Sequence, residues 1–312
     1  MTKSRNESIQ ELSEQRLLLP ETCFLKELIY CNLIRVIIFA VMANSTQNVV
    51  LITGASSGIG KSIGEYLHLQ GYKVYGTSRS PKQDHLNGIH FLALDVTKPE
   101  SIKEAVAKLI AIEGQLDVLI NNAGKGITGP LEETPDEEVQ AAFDTNYFGV
   151  LRVIKAVLPQ MRKQRSGTII NITSIAGYMG LPYRGIYSAT KSALEITTEA
   201  YRMELKEFGI KMTNIAPGDF ATNIAAGRFH APVIKGSAYE KNYGRTLAIM
   251  DEHVDHGEDP IKMAKKVHSV ILTEHPTIHY RVGAFMQRIS VALKHILPDK
   301  LFEKMLLNHY KL

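Results

Sequence analysis

The run Val49-Val50-Leu51-Ile52-Thr53 breaks off into Gly54-Ala55-Ser56-Ser57-Gly58-Ile59-Gly60, and a helical pattern then opens with Lys61-Ser62-Ile63-Gly64-Glu65-Tyr66-Leu67. A short apolar, β-branched segment, a glycine-rich turn and a helix in succession form the unit on which nucleotide-binding parallel sheets are built. Glycine lets the backbone turn sharply and approach a ligand closely. The unpaired N–H groups and positive dipole end of the helix then face an anion such as a pyrophosphate. The spacing is Gly-x-x-x-Gly-x-Gly rather than Gly-x-Gly-x-x-Gly. The glycines alone therefore leave a tight turn without a ligand as an open alternative.

Downstream, strands and helices alternate. Strands are expected over residues 48–53, 73–77, 89–93, 116–121, 167–173 and 211–215, and helices over 58–70, 100–112, 136–162 and 184–208. Apolar runs such as Val118-Leu119-Ile120 and Thr168-Ile169-Ile170-Asn171-Ile172 suit strands buried on both faces. This is an α/β pattern of βαβ units, with a parallel sheet and right-handed crossovers. Ligands in such sheets sit beyond the carboxyl ends of the strands, so chemistry is sought there. Thr134, Pro135 and Glu137 read as a capping box at the start of the third helix, with Pro135 in its first position. Asn146 falls inside that helix, where asparagine is a poor helix former. It is either satisfied in place or turned toward a site.

The chain has 312 residues, 45% hydrophobic and 22% charged, which supports one large core. Its net charge of +4 is mild and dispersed, which argues against a nucleic-acid partner. Cys23 and Cys31 both precede the glycine turn. No disulfide framework can hold the main domain, which fits a reducing, cytoplasmic setting. Residues 1–43 differ in character from the rest, and three readings stay open: Met42 as the native start, a poorly packed helix, or a weak membrane-surface anchor. The run Val36 to Ala43 is too short to span a bilayer, which takes about 20 residues. The division expected is an extension over 1–43, a nucleotide-binding catalytic domain over 44–284, and an amphipathic helical tail over 285–312. That tail is expected to pack on the domain or a subunit, with a membrane-surface face as the less favoured alternative.

Candidate site residues cluster at strand ends. After Val74-Tyr75-Gly76-Thr77, Ser78 and Arg79 stand where an NAD enzyme places an acid for the ribose 2′-hydroxyl. A guanidinium there suits a 2′-phosphate and points to NADP. Asp95, before Val96, can accept from an adenine amino group or cap the next helix. Asn121-Asn122-Ala123-Gly124 ends the fourth strand, its small residues allowing close backbone approach. Ser174 follows the fifth strand. Tyr187 and Lys191, four apart on a helix, share one face. Only about one free tyrosine in a thousand is ionised at pH 7. A cation about 4 Å away at intermediate dielectric contributes roughly 4 kcal/mol, the help a tyrosine needs to act as a general acid or base.

Thr53-Gly54-Ala55-Ser56-Ser57-Gly58-Ile59-Gly60, Asn121-Asn122-Ala123-Gly124, Asn146, Ser174, Tyr187-x-x-x-Lys191 and Pro217-Gly218 occur in order. Together they resemble the short-chain dehydrogenase/reductase family closely over about residues 48–230. The resemblance implies a single-domain Rossmann fold, a doubly wound parallel sheet of about seven strands with a C-terminal helical appendage. It implies Tyr187 as acid/base, Ser174 as donor to the substrate oxygen, and Lys191 as holder of the nicotinamide ribose that makes the phenol more acidic. Asn146 would anchor a water in a proton relay. Pro217-Gly218-x-x-x-Thr222 would contact the nicotinamide carboxamide. Gly54, Ser56, Ser57, Gly58, Ile59, Gly60, Arg79, Asp95, Val96, Asn122, Ala123 and Gly124, together with Tyr187 and Lys191 themselves, complete the expected cofactor contacts. Tyr280-Arg281-Val282-Gly283 resembles the last strand of members similar to 17β-hydroxysteroid and retinol dehydrogenases, although Lys125 replaces a tyrosine common after Asn-Asn-Ala-Gly.

The expected activity is NADP(H)-dependent interconversion of a carbonyl and an alcohol on a steroid-, retinoid- or fatty-chain-like substrate. The alternatives are a 3-oxoacyl thioester reductase and, in another class, a non-catalytic NADP-binding regulator. A homodimer or homotetramer is expected by resemblance. Residues 220–260 are expected to form a lid. Its histidines, His230, His253 and His256, are taken as solvated, with no metal site.

Overall fold

The computed structural model describes residues 47–221, 227–255 and 257–312. The N-terminal extension, Thr222, His256 and the side chain of His253 lie outside the described residues. In chain order the strands are β1 (Val49–Ile52), β2 (Lys73–Ser78), β3 (His85–Leu86), β4 (Ile89–Ala93), β5 (Val118–Asn121), β6 (Ile127–Thr128), β7 (Gly167–Ile172), β8 (Ile210–Pro217), β9 (Phe229–His230) and β10 (His279–Val282). The main sheet runs β10-β8-β7-β5-β1-β2-β4-β3. Every pairing in it is parallel except β3 on β4, a two-residue edge strand that turns back. The chain works outward from β1 to β4, then restarts at β5 on the other side of β1. A crevice therefore opens beyond the carboxyl ends of β1 and β5. β6 and β9 form a separate parallel pair.

The helices are α1 (Gly58–Leu69), α2 (Pro99–Glu113), α3 (Asp136–Phe143), α4 (Gly149–Gln164), α5 (Gly185–Glu204), α6 (Glu240–Asp255), α7 (Ile261–Ile271), α8 (Phe285–Ile296) and α9 (Asp299–His309). On one face of the sheet, Leu51, Leu119, Ile169 and Met212 pack with Ile102 and Leu109 of α2, Val153 and Val157 of α4, and Leu194 of α5. On the other, Val50, Ile52, Ile120, Ile170 and Ile215 meet Ile63 and Leu67 of α1, with Met263 and Val267 of α7. Each such side chain contributes about 1.5–3 kcal/mol by leaving water. This is the doubly wound Rossmann arrangement. Beyond the sheet, α8 and α9 bring Val291 and Phe302 onto Ile175, Met179 and Ala216. Among the described residues no helix is long and apolar enough to cross a membrane.

Several local expectations fail for identifiable reasons. The capping box does not form: Thr134 Oγ1 donates to Pro130 O (2.7 Å), and Pro135 occupies the cap position rather than the first helical one. The expected helix over 136–162 is split by a π-helical turn at Asp144–Phe148. The helix over 184–208 stops at Glu204 and tightens into a 3₁₀ turn at Lys206–Phe208. Asp95 does not cap α2, whose cap position is Lys98; instead it accepts from Thr97 N (3.0 Å) and Thr97 Oγ1 (2.8 Å). His230 is not a free loop histidine, since its Nδ1 pairs with Thr128 Oγ1 at 2.9 Å.

A row of polar side chains runs across four neighbouring strands. Asn121, Asn171, Asn214 and His279 stand side by side in register on β5, β7, β8 and β10. Asn121 Nδ2 donates to Asn171 Oδ1 (2.9 Å), Asn171 Nδ2 to Thr198 Oγ1 (2.9 Å), and Thr198 Oγ1 to Asn214 Oδ1 (2.8 Å). Glu195 Oε2 then accepts from Asn214 Nδ2 (2.8 Å) and Tyr178 Oη (2.9 Å) and pairs with His279 Nδ1 (2.7 Å). Thr198 and Glu195 both belong to α5, so the row ties this helix to the sheet. The hydrogen bond to Glu195 raises the His279 pKa above the ordinary imidazole value, against the burial that lowers it, and Glu199 adds to the rise.

A group whose pKa is raised by folding stabilises the fold below its unfolded pKa, near 6.5 for imidazole, and stops doing so as pH climbs through the folded value. The stability gap between wild type and His279→Gln, measured by urea unfolding, is therefore expected to be widest below about pH 6.5 and to close as pH climbs through the raised folded value. A gap independent of pH would show that the ion pair is not the source.

Candidate active site

Two side chains hold the crevice in shape. Thr53, at the end of β1, accepts at Oγ1 from both Asn122 N and Ala123 N, each at 3.0 Å. Asn122 Nδ2 returns hydrogen bonds to Thr53 O and Gly54 O, each at 3.0 Å. Gly60 sits against this clasp: a Cβ there would lie 2.4 Å from both Asn122 Nδ2 and Gly54 O. Only glycine fits, and its place is structural, behind the cleft wall. At the start of α1, Ser57 makes no side-chain cap and the first turn carries no acid. The helix thus presents unpaired N–H groups and its positive end to the cleft, a fitting seat for a phosphate.

The cleft measures about 1260 Å³. Of the expected residues, Gly54, Ser56, Ser57, Gly58, Ile59, Arg79, Asp95, Val96, Asn122, Ala123, Gly124, Tyr187, Lys191 and Pro217 line it. Gly60, Asn146, Ser174 and Gly218 do not, and Thr222 lies outside the described residues. Arg79 follows β2, whereas Lys191 reaches the end of β7, three strand spacings away across β1 and β5. That separation is roughly 14 Å. Cations therefore stand at both ends of a long cleft with a helix N-terminus between them. The burial of Asp95 opposes its ionisation, yet the Thr97 hydrogen bonds, with Lys98 and Arg79 nearby, hold its carboxyl below the usual range. Thr173 Oγ1 is buried without a partner, and Thr173 lines the same cleft. These features fit an elongated ligand with an anionic centre, as a nicotinamide dinucleotide is.

Lys191 is buried, and its Nζ donates to Ile172 O (2.9 Å) at the end of β7. The same nitrogen lies 5.9 Å from the centroid of the Tyr187 ring, and Arg184 Cζ lies 5.4 Å from that ring. Ser174 caps the 3₁₀ turn Ile175–Tyr178, its Oγ accepting from Ala176 N at 3.2 Å. Gly177 of that turn rests against the Lys191 backbone. Asn146 is fully buried in the π turn. Its Oδ1 accepts from Lys125 N (2.7 Å), and its Nδ2 donates to Lys125 O (2.8 Å) and Thr190 Oγ1 (3.2 Å). It therefore fastens the chain just after Asn121-Asn122-Ala123-Gly124 to α5. Lys125 Nζ pairs with Glu138 and lies 5.7 Å from the Phe229 ring centroid.

Sequence reasoning missed Thr53, Thr173, Thr190 and Lys82 as parts of this site. Thr53 and Thr173 had a visible signal, a hydroxyl at a strand end beside a motif. Lys82, which also lines the cleft, stands three residues beyond Arg79. Thr190 sits between Tyr187 and Lys191, where only the Asn146 contact marks it out.

A family model described as short chain dehydrogenase matches residues 48–232. A 3-ketodihydrosphingosine reductase from Bacteroides thetaiotaomicron is 41% identical over 256 residues, covering 82% of this chain and 95% of that protein. A short-chain dehydrogenase from Streptomyces avermitilis superposes with a TM-score of 0.72 at 31% identity, over 86% of this chain and 97% of that one. An alcohol dehydrogenase from Thermococcus sibiricus, complexed with 5-hydroxy-NADP, gives a TM-score of 0.63 at 26% identity, over 77% and 97% of the two chains.

Replacing Asn146 with Ala leaves Lys125 N and Lys125 O without their partner. These groups are part-buried, and leaving them unpaired costs up to about 1–3 kcal/mol. Urea unfolding of Asn146→Ala is expected to show a loss in that range, and an unchanged midpoint would count against the lock.

Proposed function

Because the chain belongs to the short-chain dehydrogenase family, we propose that it is an NADP(H)-dependent oxidoreductase interconverting a carbonyl and an alcohol on an apolar substrate. The observation that carries the reading is the buried Lys191, held by Ile172 O on the helix face it shares with Tyr187, with both residues lining the long cleft. The dinucleotide, when bound, supplies or takes up the hydride. Tyr187 moves the proton: its phenol donates to the carbonyl oxygen in reduction and accepts from the alcohol in reverse. Ser174 Oγ already accepts from Ala176 N, which leaves its own hydrogen to donate to the substrate oxygen. The Lys191 ammonium stabilises negative charge on the phenol oxygen as the proton leaves, and its remaining hydrogens are left for the cofactor ribose. Asn146 Oδ1 keeps one acceptor position for a relay water.

Arg79, with Lys82 beside it, supports NADP over NAD, because a guanidinium and an ammonium suit an extra phosphate. The Thermococcus sibiricus neighbour, bound to 5-hydroxy-NADP, agrees with this. NADPH is abundant in cells, and reduction is the direction assigned. Of the steroid, retinoid and fatty-chain classes, similarity to a 3-ketodihydrosphingosine reductase favours a ketone on a long alkyl chain. Exposed Phe148, and Ile196 and Met203 on α5, support self-association into a homodimer or homotetramer. We place the protein in the cytoplasm. Exposed Phe285, Met286 and Ile296 on α8 keep a membrane-surface contact as the less favoured reading.

The test is a carbonyl panel with NADPH, including 3-ketodihydrosphingosine, steroid ketones and 3-oxoacyl thioesters, run beside Tyr187→Phe. Long-chain ketones are expected to turn over. Tyr187→Phe should lower kcat by about 10²–10⁴-fold while the Kd for NADPH stays unchanged. Turnover of thioesters alone would make the chain a 3-oxoacyl reductase, and NADPH binding without any turnover would make it a regulator.

Arg79→Asp should raise the KM for NADPH by roughly tenfold or more, the worth of a lost charged hydrogen bond, and leave that for NADH little changed. A preserved NADPH preference would overturn the assignment of Arg79.

A further inference from the structure

Helix α8, the first of the two helices in the C-terminal tail, reaches into the cofactor side of the molecule through one side chain. β8 ends at Pro217, which lines the cleft, and the chain then turns through Gly218 and Asp219. Gln287 of α8 lies on that turn. Its Oε1 accepts from Asp219 N (3.2 Å), and its Nε2 donates to Asp219 Oδ2 (2.6 Å). The contact is close: a Cβ added at Gly218 would fall 2.0 Å from Gln287 Oε1. Gly283, just before α8, lies against the same turn, where a Cβ would be 3.1 Å from Gln287 Oε1 and from Gly218 N. The backbone grips the turn as well, with Gly218 N donating to Val282 O (2.8 Å) and Glu258 N to Asp219 O (3.0 Å). α8 is itself anchored, since Val291 packs with Ile175 and Ala216.

We propose that Gln287 is a positioning residue for the cofactor site: by holding Gly218 and Asp219 it sets where Pro217 stands at the cleft, so α8 is a working part of dinucleotide binding. The inference rests on the reading that the cleft takes a nicotinamide dinucleotide. The chemistry is specific to an amide. Glutamine offers one acceptor to Asp219 N and one donor to the Asp219 carboxylate. A carboxylate at that position would repel Asp219, and an apolar side chain would leave both groups unpaired. Pro217 lies on β8, on the β7 side of the crevice and away from Arg79. Loss of the clamp should therefore be felt at the nicotinamide end of the ligand and not at the adenosine end.

The experiment uses the full chain and two ligands: NADPH, titrated by its fluorescence, and 2′-phospho-ADP-ribose, which lacks the nicotinamide, titrated by calorimetry. Gln287→Glu is expected to weaken NADPH about tenfold, the worth of the hydrogen bonds lost, and to leave 2′-phospho-ADP-ribose within about twofold. The double variant Gln287→Glu/Asp219→Asn exchanges donor and acceptor, and it should restore NADPH binding. Should Gln287→Glu fail to fold, Gln287→Met takes its place with the same expected split. Unchanged NADPH affinity, equal weakening of both ligands, or no recovery in the double variant would each overturn the proposal while the cofactor reading stands. A wild type that binds neither ligand would overturn both.

Discussion

The reciprocal clasp between Thr53 and Asn122 is the constraint from which the rest of the site follows. At a topological switch point two neighbouring strands send their chains in opposite directions, and the gap between them must keep its shape without a strand to fill it. Here a hydroxyl takes two backbone N–H groups and an amide returns two bonds to backbone carbonyls. Four backbone groups that leave the sheet ladder are thereby paired, as buried groups need to be. The glycine turn, the start of α1 and the Ala123-Gly124 segment are all set relative to one another by this one contact.

The second requirement is that α5 carry Tyr187 and Lys191 at a fixed rotation and height. Apolar packing by Leu194 holds the helix to the sheet but does not by itself define its rotation, because hydrophobic contact is non-directional. Hydrogen bonds do define it. Lys191 ends on Ile172 O, Thr198 spans Asn171 and Asn214, and Glu195 spans Asn214, Tyr178 and His279. Each bond is worth only about 1 kcal/mol net, but a displaced helix would leave several buried polar groups unpaired at once. The buried row acts as an alignment device for the helix that bears the proposed chemistry.

What could be read in the sequence was local. The strand–turn–helix at Gly54, the i,i+4 pair Tyr187 and Lys191, and the βαβ alternation each lie within a few turns of chain. Asn146 stood out as a misfit inside a helix, but the π turn could not be foreseen, because its partners, Lys125 and Thr190, are 21 and 44 residues away. The capping box at Thr134 misled for a different reason, one within short range: a carbonyl four residues back, at Pro130, took the hydroxyl. The asparagines of the buried row look unrelated along the chain and meet only through strand register. Gln287 lies 68 residues from Asp219 and carries no motif at all.

The π turn at Asp144–Phe148 has a consequence for how this stretch tolerates change in length. Such a turn holds one residue more than the surrounding α-helix, and each residue of an α-helix advances the azimuth by about 100°. The extra residue sets the phase between α3 and α4. It lets Asn146 look back at Lys125 while Val153 and Val157 still meet the sheet. Deleting a single residue here would swing one of those two faces a quarter-turn out of line, so this segment has its length fixed to the residue although it reads as unbroken helix.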